Sequence, residues 1–370
     1  MNASGVIATL IPTRADQRIF LDHLVGVAGV LMLLTVVAYT IDMASTFAQI
    51  RAEARARDQT LVSLLGPYLG QRGIDILARM LPTATFFGVF VVEIRRRVRL
   101  ESVILSASGA SPWRRALPLL WLAVLLGALF WALEAKWRPP AVWAQVESGL
   151  GGYAERFPIG WNRDQWIVAG DMALRADVLR DQVPWMRDVL IFNGLREPDL
   201  RAILGAAEAR PAGGYHWALT GVTAFDPVTG APSPVADRTL TLDLTPSQLR
   251  YRGFVELLLP SDALRDLQRM DTRPENAGWA DVELLRRATA WLYPGLIALI
   301  AAAMVPLGFE GRQALTGRLV VFGAAGYIYV TAVKVVGRLG ALDVLNPGLA
   351  VLSPLALSAL IIVWLTRRAR

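Results

Sequence analysis

The chain has 370 residues, of which 54% are hydrophobic, and a formal net charge of +7; its mean hydropathy is +0.41. A composition this apolar is typical of a polytopic membrane protein and excludes an ordinary soluble domain. The chain has no cysteine, which excludes disulfides and thiolate metal sites, and its two histidines, His23 and His216, exclude a histidine-rich one. We therefore expect no cofactor.

The first segment of the chain is not a typical cleavable signal. It lacks an early basic region, and the apolar run that follows is too long for the apolar region of a signal peptide. Most of the positive charge is arginine beside apolar runs, a pattern that orients membrane proteins, so we expect no nucleic-acid partner.

Six apolar segments are long enough to cross a bilayer, which takes about 20 mostly apolar residues. They are Phe20–Ile41, Gly73–Val92, Ala116–Leu133, Ala288–Phe309, Leu319–Leu342 and Val344–Thr366. Asp75 and Arg79 interrupt the second segment, and because they are four residues apart we expect them to pair. Asp42, at the end of the first segment, is expected to be a pairing or capping residue.

Arginines predict how the six segments are oriented. They are concentrated before the first segment, between the second and third, between the fourth and fifth, and after the sixth. The positive-inside rule places these four stretches, and both termini, in the cytoplasm. The connection 42–72, which carries Arg51 and other arginines, runs against this trend.

The long segment between the third and fourth spans is polar and shows two-residue periodicity. TLTLDL places Leu240, Leu242 and Leu244 on one face of a strand, and WIVAGD and DVLIFNG indicate further strands. Short strands at this spacing favour an antiparallel jelly roll or sandwich. The fold class is therefore an α-helical polytopic membrane protein, three plus three spans, with an inserted all-β domain. The predicted boundaries are 1–134, 135–276 and 277–370.

The loop between spans two and three carries a helix at about 95–110, with an apolar face that includes Val103 and Ile104. Gly109 ends this helix with a left-handed cap, and Pro112 begins the next one. Such a helix either transmits force to the two spans or lies passively on the headgroups. A catalytic role for Ser108 is disfavoured, because neither histidine is placed to act as its base.

The stretch LESVILSASGASPWRRALPL resembles the coupling-helix region of the lipopolysaccharide export permeases, the LptF/LptG (YjgP/YjgQ) family. Glu101, Ser108 and Gly109 fall on the family motif of a glutamate followed by Ala-Ser-Gly. The LTPSQL…LPSDAL approach and WLYPGLIALIAAAMVPLGF in span four also fit, so the resemblance covers essentially the whole chain.

The resemblance implies a non-catalytic permease subunit of an ABC-type exporter in the cell inner membrane. Its implied partners are a second LptF/LptG-type permease (paralogue or self), a cytoplasmic ABC ATPase dimer and periplasmic jelly-roll proteins of the LptC/LptA type. The implied cargo is lipopolysaccharide or a related lipid, which passes along a periplasmic β bridge. The ATPase-coupling residues are then Glu101, Ser108 and Gly109.

Basic residues within or beside the spans are candidates for contact with the lipid headgroup. Lys334 and Arg338 share one face of span five and either bind lipid phosphates or extend to the interface. Members of the family usually carry basic residues at the outer end of span one, where this chain has none nearer than Arg51. Lys136 and Arg138, where span three exits, are the expected substitutes.

Three other function classes remain. A force-transmitting permease of the MacB/FtsX type has four spans and no such β domain. A non-transporting envelope scaffold binds a partner through its β domain and associates with no ATPase. An intramembrane enzyme depends on Ser108.

Overall fold

The computed structural model describes residues 13–107, 112–157, 159–181, 183–195, 202–226, 229–252, 258–268, 278–310, 313–342 and 344–368. Its helices are α1 (Arg14–Ala56), α2 (Leu61–Val98), α3 (Glu101–Ala107), α4 (Pro112–Trp131), α5 (Arg138–Ser148), α6 (Gly151–Arg156), α7 (Pro246–Arg250), α8 (Ser261–Gln268), α9 (Gly278–Thr289), α10 (Tyr293–Met304), α11 (Thr316–Ala341) and α12 (Pro347–Arg368).

Two of the long apolar segments are interrupted by π-helical or 3₁₀-helical turns. A π-helical segment, Ala132–Trp137, joins α4 to α5. Two 3₁₀ turns, Ala290–Leu292 and Val305–Gly308, flank α10.

The chain divides into two compact units. The helical unit comprises Met1–Ala141 and Asp281–Arg370, and the β unit comprises Val142–Ala280. These divisions lie a few residues beyond the predicted boundaries at 134 and 277.

Six helices within the described residues are long and apolar enough to cross a membrane: Arg14–Ala56, Leu61–Val98, Ala116–Ser148, Trp279–Gly308, Thr316–Ala341 and Pro347–Arg368. In chain order we call them spans 1 to 6. The six predicted segments fall within these helices, apart from ends that extend past them by one to three residues. The molecule is a multi-pass membrane protein with a separate antiparallel β region.

The first two helices are longer than predicted, because the connection 42–72 is mostly helical rather than a loop. Thr13 caps α1 in a capping box with Asp16, and Thr60 caps α2. Asp42 pairs with Arg72 at 2.5 Å and accepts a hydrogen bond from Tyr68 at 2.7 Å. The charges that suggested a loop instead join two packed helices.

The core of the helical unit is formed mainly by spans 2, 3 and 4, where Leu81, Phe86, Leu122 and Ala298 are buried. Spans 3 and 4 approach closely: a Cβ added at Gly127 would lie 2.1 Å from the carbonyl oxygen of Trp291. Glycine permits this contact because it has no side chain.

The β unit is built on one antiparallel sheet of eight strands. They are β1 (Gly160–Ala169), β2 (Met172–Arg180), β3 (Trp185–Asn193), β4 (Ala202–Gly213), β5 (His216–Thr220), β6 (Thr223–Phe225), β7 (Pro232–Pro234) and β8 (Arg238–Thr241). The main order is β1-β2-β3-β4-β5-β8, and β6 pairs with β4 and β7. A separate hairpin joins β9 (Phe309–Glu310) and β10 (Gln313–Ala314) in the helical unit.

Alternation along these strands fills the core of the β unit. In a regular strand, residues three apart face opposite sides of the sheet, yet Met186 and Val189 are both buried. Asp188, between them, has a φ of 50°. A local irregularity in register allows both side chains to face inward. Leu240, Leu242 and Leu244 were predicted on one face of a strand; they do pack against one cluster, but β8 ends at Thr241, so only Leu240 lies in the strand.

Candidate functional site

The predicted coupling segment lies between α2 and α4. Its helix, α3, is shorter than the expected range of about 95–110, because α2 continues to Val98 and Leu100 takes a left-handed φ of 61°. Glu101 is the first residue of α3, and its side chain is 36% exposed. A partner can therefore reach its carboxylate. Ser108 and Gly109 lie outside the described residues.

Glu101 begins a series of charged contacts that ends inside span 1. Its carboxylate lies 3.5 Å from Nε of Arg96. The Nη1 of Arg96 in turn donates a hydrogen bond of 2.7 Å to Glu93. Glu93 also lies 2.9 Å from Nε2 of His23 in α1. We call His23, Glu93, Arg96 and Glu101 the coupling cluster.

The three members of the coupling cluster behind Glu101 are all largely buried. The side chains of Glu93 and Arg96 are 15% and 8% exposed, and that of His23 is 0% exposed. The other ring nitrogen of His23 bonds the carbonyl oxygen of Ile19 at 2.7 Å. Polar groups this buried are stable only when they are hydrogen-bonded, so the cluster holds a defined arrangement.

A second contact joins α1 to the helix that follows α3 in sequence. Arg114, in the first turn of α4, lies 3.4 Å from Asp16 in the first turn of α1. Asp16 is buried and also accepts hydrogen bonds from the backbone N–H and the hydroxyl of Thr13, at 2.9 and 2.5 Å.

A larger group of charges lies elsewhere in the helical unit, around Asp75. This carboxylate accepts hydrogen bonds from Arg72 at 3.1 Å, Arg79 at 3.1 Å and Arg138 at 2.9 Å. The predicted pairing of Asp75 with Arg79 is confirmed, at 2.7 Å between the nearest charged atoms.

The same group continues through Glu134, which lies in the π-helical segment. Arg138 donates to it at 3.0 Å and Arg286 at 2.6 Å. Glu283 then holds Arg286 and Arg287, at 2.8 and 2.7 Å. We call the whole group the buried network: Asp42, Arg72, Asp75, Arg79, Glu134, Arg138, Glu283, Arg286 and Arg287.

Five arginines and four carboxylates leave the buried network with a formal excess of one positive charge. Glu134 and Arg138 are each only 4% exposed. Ionisable groups inside membrane helices are costly, and π-helical segments are frequent at functional sites. The network is therefore the second candidate site of the helical unit.

Exposed cations lie within this network and beside it. Arg79 has a side chain that is 43% exposed. Lys334 in span 5 is exposed and lies within electrostatic range of Arg79, Arg138 and Glu134. Lys136 is exposed in the π-helical segment itself. Because the arginines exceed the carboxylates here, the surrounding field attracts anions.

The five predicted lipid-contact residues fall into two environments. Lys334, Arg338, Lys136 and Arg51 are exposed, and Arg51 lies on α1 within the stretch predicted to be a connection. Arg138 is instead buried between Asp75 and Glu134. Its guanidinium thus organises the network rather than facing an open surface.

Sequence reasoning identified only part of each group. Glu93 and Arg96 were counted among loop residues, and His23 was not connected to them. Glu134, Glu283 and Arg286 were not singled out. The available signal was the rule that charges within apolar helices need partners, but the rule does not say which partner.

Comparison with known protein families finds a match over nearly the whole chain. The family model described as lipopolysaccharide export system permease LptF/LptG matches residues 19–368. Comparison with individual curated proteins finds no match. The matched range includes the buried network and the whole coupling cluster.

Proposed function

Because the chain belongs to the LptF/LptG family of lipopolysaccharide export permeases, we propose that it is the membrane subunit of an ATP-driven exporter. It extracts lipopolysaccharide, or a related anionic glycolipid, from the inner membrane and performs no catalysis itself. The observation that carries this proposal is the family match over nearly the whole of a six-span chain.

A separate cytoplasmic ATPase dimer drives the exporter through α3. Glu101 is the contact residue, because its carboxylate is exposed while Arg96 behind it is buried. An arginine on the ATPase is the matching partner for a carboxylate. The arginine distribution of the loops supports a cytoplasmic position for α3 and for both termini.

Spans 1 and 5 form the lipid entrance, paired with those of a second permease of the same family, a copy or a paralogue. Only 6% of the apolar window of span 1 and 11% of that of span 5 are buried, against 61% for span 2. These two helices are the ones with surface available for a partner and for lipid chains.

Lys334 and Arg79 bind the phosphates of the lipid headgroup at that entrance, with Arg338 and Lys136 beside them. Both of the first two are exposed, and Lys334 lies on span 5. Arg138 holds Asp75 and Glu134 beneath this surface. The buried network therefore supports the cations that face the lipid.

The β unit is a periplasmic jelly roll that receives the lipid and passes it to partner β domains. Among the described strands β1 pairs with β2 alone, so its other edge is available for strand addition. The sheet thus offers an edge on which a bridge of similar domains can continue.

Reversal of the charge at Glu101 tests the proposal. The permease is purified with its bound ATPase, reconstituted in vesicles containing lipopolysaccharide, and assayed for lipid released per ATP hydrolysed. We expect Glu101→Arg to lower release at least tenfold and to weaken ATPase binding, with the protein still folded and inserted. Glu53→Arg is the matched control, because Glu53 is 38% exposed, and it should behave like the parent.

Two results contradict the proposal. Normal release in Glu101→Arg removes Glu101 from the mechanism. If the permease purifies intact without any ATPase, the exporter function is rejected. A non-transporting envelope scaffold is then the better interpretation of the protein.

A further inference from the structure

Both sides of the coupling segment are connected to span 1. Before α3, Glu101, Arg96 and Glu93 lead to His23. After α3, Arg114 pairs with Asp16. The nearest covalent path from α3 to span 1 runs through the whole of α2, so these two side-chain links are the shorter route.

The fully buried residues of span 1 lie at its two ends, whereas its middle makes fewer contacts, such as the packing of Leu31 and the hydrogen bond from Tyr39 to Leu69. The buried residues of α1, which is described throughout, are Asp16, Ile19, His23, Val27, Thr46, Ile50 and Ala54. None lies between Val27 and Thr46. Asp16 and His23 belong to the N-terminal stripe, so both links contact the part of α1 that the fold holds.

Close backbone packing reinforces these links. A Cβ added at Gly88 of α2 would lie 2.5 Å from Cα of Val27, and one added at Gly26 would lie 2.4 Å from Val92. Val92 is next in sequence to Glu93. The N-terminal part of α1 and the C-terminal part of α2 therefore move as one body, since packed interfaces shift between discrete arrangements rather than deform.

We propose that His23, Glu93, Arg96, Arg114 and Asp16 are positioning residues that make span 1 follow the coupling segment. Displacement of α3 reaches span 1 through the two links, and the mostly unburied middle of span 1 then opens or closes against the neighbouring subunit. This inference rests on the proposed function and adds the route by which ATPase motion reaches the lipid entrance.

The absence of cysteine makes the route measurable by spin labels. One label pair joins Met32→Cys in span 1 to Val320→Cys in span 5, and a second joins Ile104→Cys in α3 to Val320→Cys. The three native side chains are exposed by 69%, 64% and 64%, respectively. Distances are measured by pulsed electron spin resonance in the purified permease–ATPase complex, with no nucleotide and with ATP plus vanadate.

In the parent, vanadate trapping should change both distances. In Glu93→Gln and in Arg114→Gln, the change at Ile104 should persist while the change at Met32 falls by at least half. In the double variant the Met32 change should disappear. Arg114→Lys as a single variant keeps the charge and should retain the Met32 change that Arg114→Gln loses. Loss of a merely stabilising contact would instead alter both label pairs together.

Arg57→Gln is the control, because Arg57 is 40% exposed and pairs with Glu53 on the same helix; it should leave both distances unchanged. An unaltered Met32 response in the double variant, with Ile104 still responding, overturns the inference alone. If nucleotide moves neither label pair in the parent, the proposed function fails and the inference fails with it.

Discussion

The helical unit and the β unit both pair arginines with carboxylates, but they expose those pairs to very different degrees. In the helical unit Arg138 and Glu134 are each 4% exposed. In the β unit Arg175 and Asp164 are 45% and 70% exposed. Similar distances, 3.0 and 2.5 Å, thus join pairs in opposite surroundings.

This difference determines what each pair does. Two charges withdrawn from water are stable only together, so loss of one leaves a costly unpaired partner. Exposed pairs are screened by water and salt and contribute little. We therefore expect the β unit to tolerate loss of an ion pair and the helical unit to depend on its pairs.

The largest effect should follow from removal of Arg138. Arg138→Met leaves Asp75 and Glu134 buried with fewer donors, which costs about 3–5 kcal/mol. We expect a clear fall in the thermal midpoint of the detergent-solubilised protein and less folded material after size exclusion. Arg57→Met, at an exposed pair of the same unit, should cost less than about 1 kcal/mol. Equal shifts in the two variants would contradict the contrast between buried and exposed pairs.

A smaller effect should follow from Lys334, because it is exposed and attracts anions without holding the fold together. Lys334→Gln should lower the affinity for lipopolysaccharide about fivefold, since one basic residue near a lipid surface contributes about 1 kcal/mol. Binding is measured by titration in neutral detergent, and the thermal midpoint should not move. Arg318→Gln, at an exposed arginine 57% accessible, is the control, and an equal loss of affinity there would remove Lys334 from the site.

The smallest effect concerns the β unit and pH. The backbone N–H of Asp164 and the guanidinium of Arg187 lower the pKa of Asp177 below its usual range. Its charged form is thus favoured in the folded state. The stabilisation is present above the ordinary carboxyl pKa of about 3.9 and is lost as the pH falls through the lower folded value.

Asp177→Asn should therefore lower the thermal midpoint of the β unit slightly at pH 7, and this difference from the parent should shrink as the pH falls through the lowered pKa of Asp177. Near-ultraviolet circular dichroism of its tryptophans follows the transition. A difference between Asp177→Asn and the parent that does not diminish as the pH is lowered would contradict this assignment.

Hydropathy predicted the six spans because an apolar run of about 20 residues has few other uses. It failed at the ends of α1 and α2, since Asp42 and Arg72 resemble loop residues until they are seen to pair. The strand segments of the β domain followed from two-residue alternation. The irregular register at Asp188 did not, because an aspartate tolerates a positive φ more readily than most residues but does not by itself mark a bulge.

The candidate site was predicted only where a motif marks it. Glu101 was identified by its resemblance to a family pattern, whereas its connection to His23 was not. Glu93 and His23 are 70 positions apart, and Arg286 and Glu134 are 152 apart. A single sequence shows that a charge in a membrane helix needs a partner, but the fold selects it.

The lengths of α1 and α2 have a mechanical consequence. Their 43 and 38 residues correspond to about 65 and 57 Å, roughly twice the thickness of the hydrocarbon layer. The hairpin they form must project well past one membrane surface, and the Asp42–Arg72 bridge keeps its two arms together. A tilt of α1 by about 5° about one end moves its other end by about 6 Å. Small rotations of the helix at one membrane surface therefore become large displacements at the projecting end of the hairpin.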